Sequence, residues 1–120
     1  MGKILVADDS ITDLKFIHSV IEGTGHEIIT AMDGEDAEKK ARGEKVSLII
    51  LDVIMPKKNG FQVCRALKQD GATKAIPIIL LTSKGQESDK FWGEKQGADA
   101  YLVKPCQPKE LMDTVTKFLK

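Results

Sequence analysis

The chain reads as an α/β domain built on a parallel sheet with helices on both faces. Short, almost wholly apolar runs recur at residues 4–7, 28–29, 48–51, 78–81 and 101–103. Continuous apolarity, in place of alternation, means that both faces of each strand are covered, which is the condition of a strand inside a parallel sheet. Amphipathic stretches of helical length separate these runs. Five strand-helix units with short connections and right-handed crossovers leave few topologies, of which an open doubly wound sheet is the commonest.

The elements follow in order. Ile-Leu-Val-Ala at 4–7 is the first strand, and Leu14, Ile17, Val20 and Ile21 then share one stripe of a helix that stops at Gly23-Thr24-Gly25. Ile28 and Ile29 mark the second strand, followed by a short helix that opens at Asp33-Gly34 and sets Ala37 and Ala41 four apart. After the third strand, Asn59-Gly60 starts a helix aligning Phe61, Cys64 and Leu67. The fourth helix is expected over residues 87–96, closing at Gly97, and the fifth follows Pro108 with Leu111, Met112, Val115 and Leu119. The expected arrangement is a flavodoxin-like (βα)5 sandwich with strand order 2-1-3-4-5. With 120 residues, no internal repeat and no Ser/Pro/Gly-rich linker, the chain is expected to be one domain over 1–120, without an effector domain.

Composition removes several classes of function. Hydrophobic residues make up 42% and charged residues 30%, a globular balance. Eighteen basic residues against eighteen acidic ones leave no net positive field, so nucleic acid is not the expected partner. Cys64 and Cys106 are far apart and form no zinc-like spacing, which suits a reducing cytosol. No run approaches the roughly 18 apolar residues of a membrane span, and residues 1–10 lack a signal-peptide core, so a cytoplasmic protein without membrane attachment is expected.

In a parallel sheet every segment that follows a strand gathers at one edge, where ligands bind near the reversal of strand order. Those segments are Asp8-Asp9, Asp52, Thr82-Ser83 and Lys104-Pro105. Three carboxylates in a partly desolvated cleft repel one another unless a cation sits among them. Magnesium suits this set, because it binds through one or two carboxylates and completes its shell with water and phosphate oxygens. A carboxylate beside a metal and facing an ammonium is also a nucleophile toward phosphorus. Asp52, at the end of the central strand, is the candidate; Lys104 and Thr82 would neutralise charge on the transferred group.

Asp8-Asp9, the segment Asp52-Val-Ile-Met-Pro-Lys-Lys-Asn-Gly60, Leu81-Thr-Ser83 and Tyr101-Leu-Val-Lys-Pro105 together resemble the CheY-like response-regulator receiver family over essentially the whole chain. The resemblance implies that Asp52 is the phosphoacceptor and that Asp8, Asp9, Asp52 and the main-chain carbonyl of Ile54 hold the metal. It implies a cis peptide between Lys104 and Pro105. Thr82 and Tyr101 resemble the family's switch pair, in which the hydroxyl moves toward the phosphoryl group and the ring turns inward. The implied partners are a histidine kinase as phosphodonor and a target protein bound by the fourth helix, fifth strand and fifth helix, with a monomer expected. Ile54 and Lys84 are positions where such a likeness suggests that phosphoryl lifetime is tuned. Residues 89–98, together with Ser10, are similar to receivers of type IV pilus twitching-motility and phototaxis pathways.

Each motif has a plainer explanation. An Asp pair commonly satisfies a helix dipole, Asn-Gly is a turn, and Thr-Ser caps helices. Tyr101 could be an ordinary strand residue with its hydroxyl in water, Trp92 packing or a partner contact, and Cys64 a buried thiol. His18 and His26 lie away from the strand ends. Within the family, a phosphorelay intermediate or a phosphate sink would carry the same residues. A magnesium-dependent aspartate-nucleophile phosphohydrolase would need an acid/base Asp two residues after the nucleophile, where this chain has Ile54, and a flavodoxin would find Asp8-Asp9 repulsive to its flavin phosphate. No turnover of an external substrate is expected, only phosphorylation and dephosphorylation of the chain itself.

Overall fold

A computed structural model describes residues 2–119 and realises the alternation in full. The elements are β1 (Lys3–Ala7), α1 (Ile11–Ile21), β2 (Glu27–Ala31), α2 (Gly34–Gly43), β3 (Val46–Leu51), α3 (Gly60–Gln69), β4 (Ile78–Thr82), α4 (Glu87–Lys95), β5 (Ala100–Val103) and α5 (Pro108–Phe118). All neighbouring strands run parallel in the order β2-β1-β3-β4-β5.

The apolar runs are explained by two cores, one on each face of the sheet. Leu5, Ile49, Leu51, Ile78 and Leu80 pack with Ala37 and Ala41 of α2 and Val63, Cys64 and Leu67 of α3. The alternate residues Ile4, Val6, Leu48, Ile50, Ile79 and Leu81 pack with Ile17 and Ile21 of α1 and Leu111 and Val115 of α5. Successive side chains of a strand point to opposite faces, so a strand covered twice must be apolar throughout.

Helix boundaries follow their caps. Ser10 Oγ accepts from Asp13 N at the start of α1, Asp33 from Asp36 N at the start of α2, and Asn59 and Gln62 form a reciprocal capping box on α3. Pro108 occupies the first turn of α5. After α1 the chain makes a 3-10 turn over Glu22–Thr24 and leaves through Gly25 at φ 78, the left-handed conformation a glycine adopts without cost. The expected stripe on α3 is present and wider: Cys64 and Leu67 are buried together with Gly60 and Val63, and Phe61, half-buried, packs against the same core. Leu119 lies just beyond α5 but still packs on its core.

Helix α4 is seated differently from the others. Its one buried residue is Gly93, and a Cβ there would stand 2.8 Å from Tyr101 Cδ2 and 3.1 Å from Leu80 Cδ1. The missing side chain is what lets α4 lie against the Tyr101 ring.

Candidate functional site

The carboxyl ends of β1, β3, β4 and β5 bring the expected residues together. Asp8 follows β1 and is 1% exposed; its main-chain N–H donates to Ala31 O at 3.0 Å, and its Oδ1 accepts from Ser10 N at 2.9 Å. Asp52 follows β3, held through Asp52 N to Ala7 O at 2.9 Å, and its Oδ1 accepts from Val53 N at 2.6 Å and Ile54 N at 3.2 Å. Asp9 stands exposed at the mouth.

The loop after Asp52 is folded back onto it. Gly60 N donates to Val53 O at 2.8 Å, and a Cβ on Gly60 would collide with the Asp52 carbonyl. Gly34 N donates to Pro56 O at 3.2 Å and Lys57 takes a positive φ of 70, so the turn between Asp52 and α3 is tied to the start of α2. The Asn59-Gly60 pair is thus both helix start and close approach.

Lys104 enters from the end of β5, its N–H donating to Thr82 O at 2.9 Å, before a cis peptide to Pro105. Its ammonium donates to Asp8 Oδ2 at 2.7 Å, Asp52 Oδ2 at 3.0 Å and Asp13 Oδ2 at 2.7 Å. Asp13 was not among the residues expected from sequence. It lies in the first turn of α1, where a carboxylate reads as a response to the helix dipole.

The electrostatics follow from this crowding. Burial pushes the Asp8 carboxyl upward, and the bonds from Lys104 and Ser10 only partly offset it. Burial alone would lower Lys104, but its bonds to Asp13, Asp8 and Asp52 outweigh that, and the ammonium is held above its ordinary value. Asp8, Asp9 and Asp52 each place an oxygen within 4.8 Å of the others, a donor set that fits a hard divalent cation.

The other two expected residues sit beside this cluster. Thr82 is fully buried, and its Oγ1 accepts from Lys84 N at 3.4 Å. The plain reading of Tyr101 does not hold: its hydroxyl is not left to water but donates to Lys84 O at 2.7 Å, and burial pushes it up to about 12. Thr82 and Tyr101 are therefore joined through one residue, Lys84. Ile54 projects its side chain outward, 53% exposed, and offers no acid or base where a phosphohydrolase requires one.

The remaining candidates take no part. Burial raises Cys64 to about 12 and Cys106 to about 11, so neither presents a thiolate. His18 Nδ1 faces Glu22 at 3.4 Å, and His26 Nδ1 faces Thr24 O at 3.3 Å, both away from the strand ends.

A doubly wound parallel sheet that gathers an acidic trio and a lysine at its strand ends defines the class, and the family description "response regulator receiver domain" matches residues 4–116. The chain belongs to that family and is a receiver domain of two-component signal transduction. It is 42% identical to protein PilH of Pseudomonas aeruginosa, covering 99% of this chain and 98% of PilH. It spans about half the length of transcriptional regulators it also resembles, such as PhoP of Bacillus subtilis, 43% identical over 48% of that protein. Among solved structures it superimposes on the chemotaxis response regulator CheY4 of Vibrio cholerae with a TM-score of 0.91 at 35% identity, over 99% of both chains. The Mn(2+)-bound form of response regulator Rcp1 gives a TM-score of 0.84 at 28% identity, covering 98% of this chain and 91% of that one. Among the described residues no helix is long and apolar enough to cross a membrane.

Proposed function

We propose that Asp52 accepts a phosphoryl group from a histidine kinase and that the phosphorylated domain acts by binding a target protein. The observation that carries this reading is the convergence on Lys104: one ammonium within 3.0 Å of Asp52 and 2.7 Å of the buried Asp8. Transfer forms a bond from an Asp52 carboxylate oxygen to phosphorus and breaks the bond from phosphorus to the kinase imidazole nitrogen, which keeps the electron pair. Asp52 Oδ1 is fixed by two main-chain donors, so the nucleophile is oriented before the donor arrives. Lys104 stands ready to leave its carboxylates for the incoming phosphoryl oxygens.

Asp8, Asp9, Asp52 and the carbonyl of Ile54 would hold magnesium, and the acidic trio together with the Mn(2+)-bound Rcp1 supports a divalent ion in this position. When bound, such an ion neutralises charge on the transferring phosphoryl group. The chain's own chemistry is limited to its phosphorylation and slow dephosphorylation, because Ile54 cannot activate water. Thr82 and Tyr101 act as the switch: movement of the Thr82 hydroxyl toward the phosphoryl group breaks its contact with Lys84 N, and Tyr101, bonded to Lys84 O, is released with it. The target then reads α4, β5 and α5 on a monomeric cytoplasmic protein. Likeness of residues 89–98 to twitching-motility receivers and near full-length similarity to PilH favour a motility chemosensory pathway.

The test is intact mass and Trp92 fluorescence after adding magnesium and acetyl phosphate. Gain of one phosphoryl group in the wild type and none in Asp52→Asn is expected. Full labelling of Asp52→Asn would overturn the assignment.

A further inference from the structure

Between α3 and α4 lies an open groove of about 490 Å³, lined by Arg65, Lys68, Phe91, Trp92, Lys95 and Gln96 among others. It shares no residue with the phosphoacceptor site, and neither β5 nor α5 contributes to it. Phe91 is 60% exposed and Trp92 49%, so two adjacent aromatic side chains of one helix face solvent. Aromatic residues make up only 5% of this chain, which makes their pairing on one rim a concentrated apolar feature.

The charge of the groove is one-sided. Every ionisable side chain that lines it is a cation. Lys68 is already committed, its ammonium donating to Asp99 Oδ2 and to Ile76 O, both at 2.8 Å. Arg65 and Lys95 form no ion pair among the described residues. The Lys95 ammonium instead stands 5.2 Å from the centre of the Phe91 ring, so aromatic surface and free positive charge form one patch. A complementary occupant brings carboxylates for Arg65 and Lys95 and an apolar side chain to cover Phe91 and Trp92.

We propose that the α3–α4 groove docks an acidic segment of a partner protein that carries at least one apolar side chain. A nucleic acid fits less well: two uncommitted cations on a chain of zero net charge release few counterions. The groove is formed without a phosphoryl group, so docking here does not depend on Asp52, and the two proposals fail separately.

Trp92 is the only tryptophan and reports on its own groove. The full chain is titrated with the synthetic peptide Glu-Asp-Glu-Leu-Glu-Phe-Asp-Glu and with its amide counterpart Gln-Asn-Gln-Leu-Gln-Phe-Asn-Gln. Backbone NMR shifts locate the contact. A saturable change in Trp92 emission is expected with the acidic peptide, with shifts confined to α3 and α4 and the same response in Asp52→Asn. The doubly substituted Arg65→Glu, Lys95→Glu protein should bind about tenfold more weakly or worse, as expected for loss of charge-assisted contacts. Both positions are exposed, and unchanged circular dichroism and phosphorylation establish that this variant is folded. Absence of any Trp92 response overturns the proposal. So do equal affinity for the amide peptide, an unaffected double variant, or tighter binding of a single-stranded oligonucleotide than of the acidic peptide.

Discussion

Replacing Lys104 by methionine removes the ammonium that bonds Asp8, Asp13 and Asp52 while keeping most of the buried stem. Asp8 and Asp52, with side chains 1% and 8% exposed, would face each other without a counter-charge; Asp13, at 38%, can turn to water. Removing one partner from a buried charge cluster costs about 3–5 kcal/mol, and with Lys104 itself partly accessible the low end applies, about 3 kcal/mol at pH 7. Taking roughly 2.1 cal/mol/K of unfolding entropy per residue over the 120 residues, that is a fall of about 12 °C in melting temperature. The pH dependence distinguishes a charge effect from lost packing. A carboxyl whose pKa is raised on folding makes the native state bind protons more tightly than the unfolded chain, so its cost grows as pH rises from the unfolded value and is complete above the folded one. Asp8 is such a group already, and without Lys104 it moves further up. The difference between wild type and Lys104→Met therefore contracts as pH falls toward 4 and Asp8 takes up its proton. Lys104 in the wild type, raised on folding, contributes its stabilisation fully below its ordinary pKa and loses it only as pH rises through the folded value. Urea unfolding followed by Trp92 fluorescence at pH 7 and pH 4 measures this. An equal penalty at both values would mean that packing of the stem, and not the ammonium, holds the site together.

Three further outcomes are expected. Magnesium at 100 times its dissociation constant should stabilise the wild type by about 2.7 kcal/mol in thermal unfolding, and Asp9→Asn, at an exposed position, should abolish most of that response while raising metal-free stability slightly, because it removes one of three mutually repelling carboxylates. Gly93→Ala should destabilise by about 1 kcal/mol, because crowding against Tyr101 exceeds the gain in helix propensity. Gly43→Ala, where an added Cβ meets nothing within 4 Å, should be neutral or stabilising, and the same sign in both would refute the packing account of α4. The Glu38 carboxylate is buried, which would raise it, but Arg42 at 2.8 Å and Lys58 at 3.0 Å hold it below its ordinary value. Glu38→Gln should therefore cost about 2 kcal/mol at pH 7, with the difference lost as pH falls through the folded pKa, measured by urea titration.

The central strands are readable because residues 48–51 of β3 and 78–81 of β4 are covered on both sides and are apolar without a break. Strand β2 was foreshortened in the sequence for the opposite reason: it is an edge strand, and Glu27 and Thr30 are exposed in it. On α3 the stripe of Phe61, Cys64 and Leu67 is legible from its spacing, whereas Gly60 has no side chain to mark it as part of the buried face. The acidic pair, Asp52 and Lys104 were legible because each terminates a strand, and a parallel sheet puts strand ends side by side. Asp13 was not, since it reaches the site from a helix, and only its contact with Lys104, 91 residues later, reveals it. The tie between Tyr101 and Lys84 was likewise hidden, because a side chain bonded to a main-chain carbonyl leaves no mark on the identity of its partner.

The contacts of Lys104 span 96 residues to Asp8 and 52 to Asp52. A chain still being synthesised displays its acidic residues long before the lysine that balances them exists. The charge of this cluster is therefore balanced only when the last strand adds itself to the sheet, so neutralisation of the acidic residues and completion of the fold are one event.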